Sequence, residues 1–295
     1  MPTLLMNQLK PIKKIYAHLA AGAAILFLLL AARDNVRALP RALPVTLFNQ
    51  RSVAVKSDQF KNLNLEARAV MVYDVNSGRM LYAKNEREIL PIASLTKLMT
   101  VLAARRELTP AAVVSFASHD WLPQAVFDYA LVTSSNAAAA AIAREVEAET
   151  GESLVSRMNA LALELGLTET SFNNPTGLDE LDGEPTSLSS ASDIAELLAY
   201  ILKTDRALIA ATAWPDLQVA ALDGVRFSLH NTNILAGEIP GLLASKTGYT
   251  RGAEGSLAVI FDRGLNEPTV VVVLGSSEDG RFADMRSLVN ATLEL

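Results

Sequence analysis

Hydrophobic periodicity changes twice along this 295-residue chain, and those two changes restrict its fold more than any other feature. Ala67 to Tyr73 reads as a strand, Asp74-Val75-Asn76-Ser77-Gly78 supplies turn chemistry, and Arg79 to Ala83 returns as a second strand. From Ser94 to about residue 214 the apolar spacing becomes three and four, the spacing of helices: Leu95 to Ala103, Pro123 to Val132, Ala137 to Val146, Glu152 to Leu165 and Ser192 to Leu202. Beyond 215 the period returns to two. Leu217 to Ala221 and Val225 to His230 flank an Asp223-Gly224 turn, with Val225, Phe227 and Leu229 on one face. Ser245 to Thr250, Leu257 to Phe261 and Thr269 to Leu274 continue the strands, and Phe282 to Leu293 closes the chain as a helix. Strands at both ends with helices between them predict an α+β fold: an antiparallel sheet flanked by helices, with a helical subdomain inserted between its strands. The sheet part is expected over 61–93 and 215–295 and the helical part over 94–214.

The first sixty residues belong to a different regime. Lys10, Lys13 and Lys14 precede Ile15 to Ala32, 18 residues without a charge and interrupted only by His18. That length lies between a signal-peptide apolar region and a full membrane span. Val36-Arg37-Ala38 is a passable cleavage site but lies well past the apolar run, so a retained anchor over residues 1–32, lysines on the cytoplasmic side, is the preferred expectation and a cleaved signal the alternative. Both place the remainder outside the cytoplasmic membrane, on the periplasmic side. Residues 33–60, with Pro40, Pro44 and no sustained period, read as a linker ahead of one domain at 61–295. The net charge of −6 and the lack of a dense basic stripe after residue 50 argue against a nucleic-acid partner. There are no cysteines, and His18, His119 and His230 are far apart, so neither thiolate chemistry nor a bound metal or other cofactor is expected.

Chemistry concentrates at three short motifs in fixed order: Ser94-Leu95-Thr96-Lys97, Ser134-Ser135-Asn136 and Lys246-Thr247-Gly248. Residues three apart on a helix are surface neighbours, so Ser94 and Lys97 present a hydroxyl beside an amine. A serine hydroxyl needs a base before it attacks, and no histidine is placed to act. Lys97 serves if burial and a second cation, Lys246, pull its pKa toward neutrality. Ser134 then relays a proton between the leaving nitrogen and the lysine, and Asn136 holds the substrate amide. Ser171-Phe172-Asn173 has the same Ser-x-Asn form, but Ser134 is preferred because it interrupts two helices. Lys246 and Thr247 are expected to bind a substrate carboxylate, and Gly248 to let the substrate backbone lie along the strand edge. The backbone N–H groups of Ser94 and Tyr249 are the candidate oxyanion hole.

These motifs, with Met71-Val72-Tyr73-Asp74, Asn76-Ser77-Gly78, Ile92 to Thr100, Leu165-Gly166-Leu167, Phe172 to Asp179 and Ser245 to Tyr249, make residues 65–293 resemble the serine-type D-alanyl-D-alanine carboxypeptidases, the low-molecular-mass penicillin-binding proteins. The resemblance implies a β-lactamase/DD-peptidase-like fold. It also implies an extracytoplasmic hydrolase that removes the terminal D-alanine of peptidoglycan stem peptides, or cuts D-amino-acid cross-links, through an acyl-serine intermediate. Penicillins and other β-lactams would acylate Ser94.

Two departures accompany the resemblance. Ser94 and Ser134 are closer in sequence than is usual in that family, so the Ala111 to Leu131 region is expected to leave the cleft more open on one side. The chain also ends one helix beyond the sheet, so any membrane attachment falls to Ile15 to Ala32. Rival readings are a DD-endopeptidase using the same site, a class A β-lactamase with Glu169 in the role of deacylating base, a non-catalytic domain that binds cell-wall peptides or β-lactams, and a lipase-type hydrolase, which leaves the Lys246 strand unexplained.

Overall fold

The computed structural model describes residues 58–180 and 187–295; the targeting stretch and nearly all of the linker lie outside the described residues. Five strands make the central antiparallel sheet: β1 (Ala69–Asp74), β2 (Arg79–Lys84), β3 (Leu242–Thr250), β4 (Glu254–Asp262) and β5 (Pro268–Ser276). Their order is β3-β4-β5-β1-β2, and the pairing of Ala69 with Leu274 through Asp74 with Thr269 joins the two ends of the chain. This is the sheet expected from the periodicity. It leaves β3, which carries Lys246-Thr247-Gly248, on an outer edge.

Five helices occupy one side: α1 (Thr96–Glu107), α2 (Pro123–Val132), α3 (Asn136–Thr150), α4 (Leu154–Glu164) and α5 (Ala191–Thr204). The other face is covered by α6 (Gly280–Leu293). Val70, Val72, Val271 and Val273 point to a core with Phe282, Met285 and Leu288 of α6, while Met71, Tyr73, Val270 and Val272 point to the helical block. Because both faces are covered, β1 and β5 are buried at every position and read as continuous apolar runs rather than alternating ones.

Several expectations need correction. The periodicity of α1 predicts one buried face, yet Thr96 to Ala104 are all buried, because α2, α3, α4 and α5 all pack around this helix. Residues 216–230 do form a hairpin, but it is a separate ribbon pairing Asp216 with His230 through Ala220 with Arg226. It stays out of the main sheet because Leu217, Val219, Phe227 and Leu229 pack into the helical-side core. The short segment before α2 is itself a hairpin, Val114–Phe116 with His119–Trp121, too brief for a period to reveal. Folded structure also begins earlier than expected: Phe60, assigned to the linker, is buried and stacks on Tyr82 at a centroid distance of 4.8 Å.

Candidate active site

The approach to Ser94 is held from below by a small three-stranded sheet in which Leu90 pairs with Ser189 and Pro91 with Leu188, and Ile92 N donates to Ser187 O at 3.1 Å. Ser94 then sits in a 3-10 turn, Ala93–Leu95, one step before α1. Ala93 is left-handed at φ 46°, a conformation that costs a non-glycine residue and that persists only where the surroundings impose it. The imposing contact is Gly177: at φ 78°, a Cβ on it would lie 1.9 Å from Ala93 O and 2.7 Å from Thr96 Oγ1. Only glycine fits there.

Lys97 is fully buried and its Nζ meets three acceptors: Ser94 Oγ at 2.8 Å, Asn136 Oδ1 at 2.7 Å and Thr176 O at 2.6 Å. Burial pulls its pKa down to about 7. The three contacts suit both protonation states. An ammonium donates to all three; a neutral amine donates to Asn136 and Thr176 and turns its lone pair to the Ser94 hydroxyl. Proton transfer between Ser94 and Lys97 therefore needs no movement of heavy atoms.

Ser134 lies in the break between α2 and α3 and is also left-handed, at φ 58°. Its neighbour Ser135 is the α3 cap, accepting from Ala138 N at 3.1 Å, so the capping role falls to one residue of the motif and frees the side chains on either side of it. Asn136 turns to Lys97, and Ser134 Oγ accepts from Lys246 Nζ at 2.8 Å. Lys246 also donates to Thr247 O at 2.8 Å and is 1% exposed. Its pKa is driven well below the usual lysine value by burial first, then by Lys97 and Arg281. The structure thus brings all three motifs together, with Lys97 joining the first to the second and Lys246 the second to the third. Lys246 lies beneath the strand rather than on its surface.

Gly248 has a nearer reason for being glycine than substrate approach. A Cβ there would lie 2.8 Å from Ile92 O and 3.3 Å from Ser94 N, so β3 and the Ser94 turn abut only because the side chain is missing. This contact sets the Ser94 backbone against Gly248, one residue before Tyr249 on the edge strand, and Ser94 and Tyr249 are the two positions whose N–H groups the sequence nominates for an oxyanion.

A family model for D-alanyl-D-alanine carboxypeptidase matches residues 54–121 and 123–278. The chain belongs to that family. It is 32% identical over 232 residues to D-alanyl-D-alanine carboxypeptidase DacF of Bacillus subtilis, covering 72% of this chain and 58% of that relative, so it spans less than two thirds of the relative's length. A D-alanyl-D-alanine endopeptidase of Pseudomonas aeruginosa is 27% identical, with 83% of this chain and 85% of the relative covered. Among solved structures, penicillin-binding protein D2 of Listeria monocytogenes in its ampicillin-bound form superposes with a TM-score of 0.68 at 28% identity, over 78% of this chain and 98% of that one.

In this carboxypeptidase-family chain, several residues around the site escape the motif reading. Thr176 O contacts Lys97, and its loop is tied by Asn174 Oδ1, which accepts from Thr176 N and Gly177 N, and by Thr100 Oγ1, which donates to Pro175 O. The Asn-Pro-Thr-Gly composition does signal a turn, but not what the turn supports. Arg281, at the start of α6, donates through Nη1 to Gly248 O at 2.8 Å and stands over Tyr249; nothing in its sequence surroundings marks it. Glu169, the base of the β-lactamase alternative, is engaged elsewhere: its carboxylate accepts from Arg87, and its N–H donates to Asp193 Oδ2. The acceptors held by Lys97 are Ser94, Asn136 and Thr176 instead.

Proposed function

We propose that this chain is a serine D-Ala-D-Ala carboxypeptidase acting on peptidoglycan stem peptides, with Ser94 as nucleophile and Lys97 as its base. The observation that carries the reading is the Lys97 Nζ to Ser94 Oγ bond of 2.8 Å made by an amine that burial holds near neutrality. Ser94 Oγ attacks the carbonyl carbon of the penultimate D-alanine as its proton passes to Lys97, and the carbonyl electron pair moves onto oxygen facing the N–H groups of Ser94 and Tyr249. Collapse of the adduct breaks the C–N bond. The proton reaches the departing D-alanine nitrogen from Lys97 by way of Ser134, whose oxygen is fixed by Lys246. Water then attacks the ester, Lys97 takes its proton and returns it to Ser94 Oγ, and the shortened peptide leaves as a carboxylic acid.

Asn136 and Thr247 serve substrate binding; Lys246 contributes through Ser134 and the backbone of Thr247 instead of direct contact. β-Lactams enter the same first step and leave an acyl-Ser94 adduct, which agrees with the likeness to a penicillin-binding protein in an ampicillin-bound form. Endopeptidase action on the same bond in a cross-link is the second reading, favoured by alignment over most of the length of an endopeptidase. The location on the outer side of the cytoplasmic membrane belongs to the same proposal and rests on the charge and apolar pattern of residues 10–32.

Purified protein incubated with a fluorescent penicillin is expected to form a stable adduct that Ser94→Ala does not form. Mass spectrometry of muropeptides should show loss of one alanine from pentapeptides with the wild type alone. Rapid turnover of the penicillin, or equal products from both proteins, would overturn the assignment.

A further inference from the structure

Arg281 is a buried cation that bonds to no carboxylate. Among the described residues its guanidinium makes one hydrogen bond, from Nη1 to Gly248 O at 2.8 Å, and its Nε has no partner. Its Cζ lies 4.7 Å from the ring centroid of Phe282 and 5.8 Å from that of Tyr249. Burying a charge without an opposite charge bonded to it is costly, and an apolar side chain of similar volume would serve stability better. What the charge acts on is the Gly248 carbonyl, in the edge strand that carries Lys246 and Thr247.

A second glycine lets α6 begin close enough for this contact. A Cβ on Gly255 would lie 2.1 Å from Ser277 O, so β4 and the turn into α6 abut, and Gly255 is the register partner of Tyr249. The backbone of β3 then decides what the carbonyl contact does. Ser245 N donates to Thr212 Oγ1 at 3.0 Å, away from β4, and the register from Ser245 with Val259 to Thr250 with Glu254 is unbroken. Along an antiparallel strand the N–H and C=O of one residue face the same edge, and the edge alternates from residue to residue. The Tyr249 N–H therefore faces the free edge of the sheet, as that of Ser245 does, and the Gly248 carbonyl faces inward. These two groups are the ends of one planar trans peptide and point in opposite directions.

Resting on the peptidase reading, we infer that Arg281 is a positioning residue for the oxyanion: by holding the Gly248 carbonyl from inside, it fixes the direction of the Tyr249 N–H and polarises the peptide they share. A cation bonded to the carbonyl draws electron density toward oxygen and leaves the N–H more positive, hence a stronger donor. Arg281 acts through this one amide, without contact with the reacting atoms.

The test measures the pH profile of penicillin acylation in wild type, Arg281→Met and Arg281→Lys, together with isotope-edited infrared spectra of the acyl-Ser94 carbonyl. Arg281→Met is expected to lower the plateau rate about tenfold, less than the roughly hundredfold or greater loss that follows outright removal of an oxyanion donor. It should also move the acyl carbonyl band to higher wavenumber, because a weaker donor polarises the ester less. Arg281→Lys keeps a charged donor and should restore most of the rate and of the band position. The Lys246 pKa is held down by burial, then by Lys97 and by Arg281, so an effect routed through Lys246 would displace the pH midpoint; the midpoint is expected to stay at about 7 in all three proteins. A rate loss with an unmoved band, a displaced midpoint, or a Lys variant as impaired as the Met variant overturns the inference, and so does wild-type acylation by Arg281→Met. Should Arg281→Met not fold, Arg281→Gln, which keeps a neutral donor, carries the test: a smaller band shift in the same direction supports the inference and an unmoved band overturns it. If the wild type forms no adduct, the peptidase reading itself has failed, an outcome distinct from these.

Discussion

On the proposed mechanism acylation of Ser94 requires Lys97 as a free amine, and burial of that side chain lowers its pKa to about 7. One group ionising there makes the acylation rate constant climb tenfold per pH unit below the midpoint and level above it. The rate at pH 5.5 is then about thirtyfold below the plateau. A solvated lysine would behave differently, still gaining tenfold per unit between pH 7 and 9. Stopped-flow measurement with a fluorescent penicillin, from pH 5.5 to 9 at constant ionic strength, separates the two. Since burial and not an exposed charge sets the value, raising salt from about 0.05 to 0.5 M should hardly move the midpoint, as screening acts mainly on exposed charges. Asp193 and Glu196 also titrate in this window, pushed up to about 7 and about 8 chiefly by burial. They sit with Glu169 and Arg87, so Glu196→Gln should leave the kinetic midpoint in place. A flat profile, a midpoint above 9, or one that slides with salt would refute the reasoning.

Three further outcomes follow from the same geometry. Gly177→Ala places a methyl group 1.9 Å from Ala93 O at φ 78°, and should cost about 3 kcal/mol in urea denaturation and nearly all penicillin acylation; a folded, fully active variant would show that this loop does not set the Ser94 turn. Glu196 keeps its proton to about pH 8 in the folded state but loses it near 4.5 in the unfolded chain, so the folded state binds more protons between those values and stability must fall as pH rises. Glu196→Gln should remove on the order of 2 kcal/mol of that fall, allowing for partial solvent access, and an unchanged pH slope in thermal unfolding would exclude it. For Lys97 the sign reverses: the unfolded chain holds the proton to about 10.5 and the folded state only to about 7, so stability rises with pH over that range. Lys97→Met should abolish acylation yet raise stability at pH 7 by about 2 kcal/mol, less than the full shift because Asn136 Oδ1 and Thr176 O lose their donor; a fall in the urea midpoint would count against it.

Local rules reached far into this protein. Alternation and turn residues located β1, β2 and the three strands of the C-terminal half, and the spacing of Ser94, Lys97, Ser134, Asn136 and Lys246 named the residues that meet in the site. Both signals are carried by neighbours in the chain: a pleat repeats every two residues, a helix every three or four. Burial direction was another matter. Nothing in the period of α1 shows that its polar face is enclosed too, because that depends on four other helices arriving around it.

The same limit separates what the chain alone determined from what tertiary structure decided. The order and chemical type of the reactive groups are written in three short motifs and would be the same in any fold. That Lys97 is an amine near neutrality, that Lys246 is turned under its strand, and that Gly177 and Gly248 are glycines because Ala93 O and Ile92 O lie against them, are decided by segments tens to more than a hundred residues apart. Desolvation and close contact depend on the whole packed neighbourhood, and the neighbourhood exists only once the sheet has drawn both ends of the chain together.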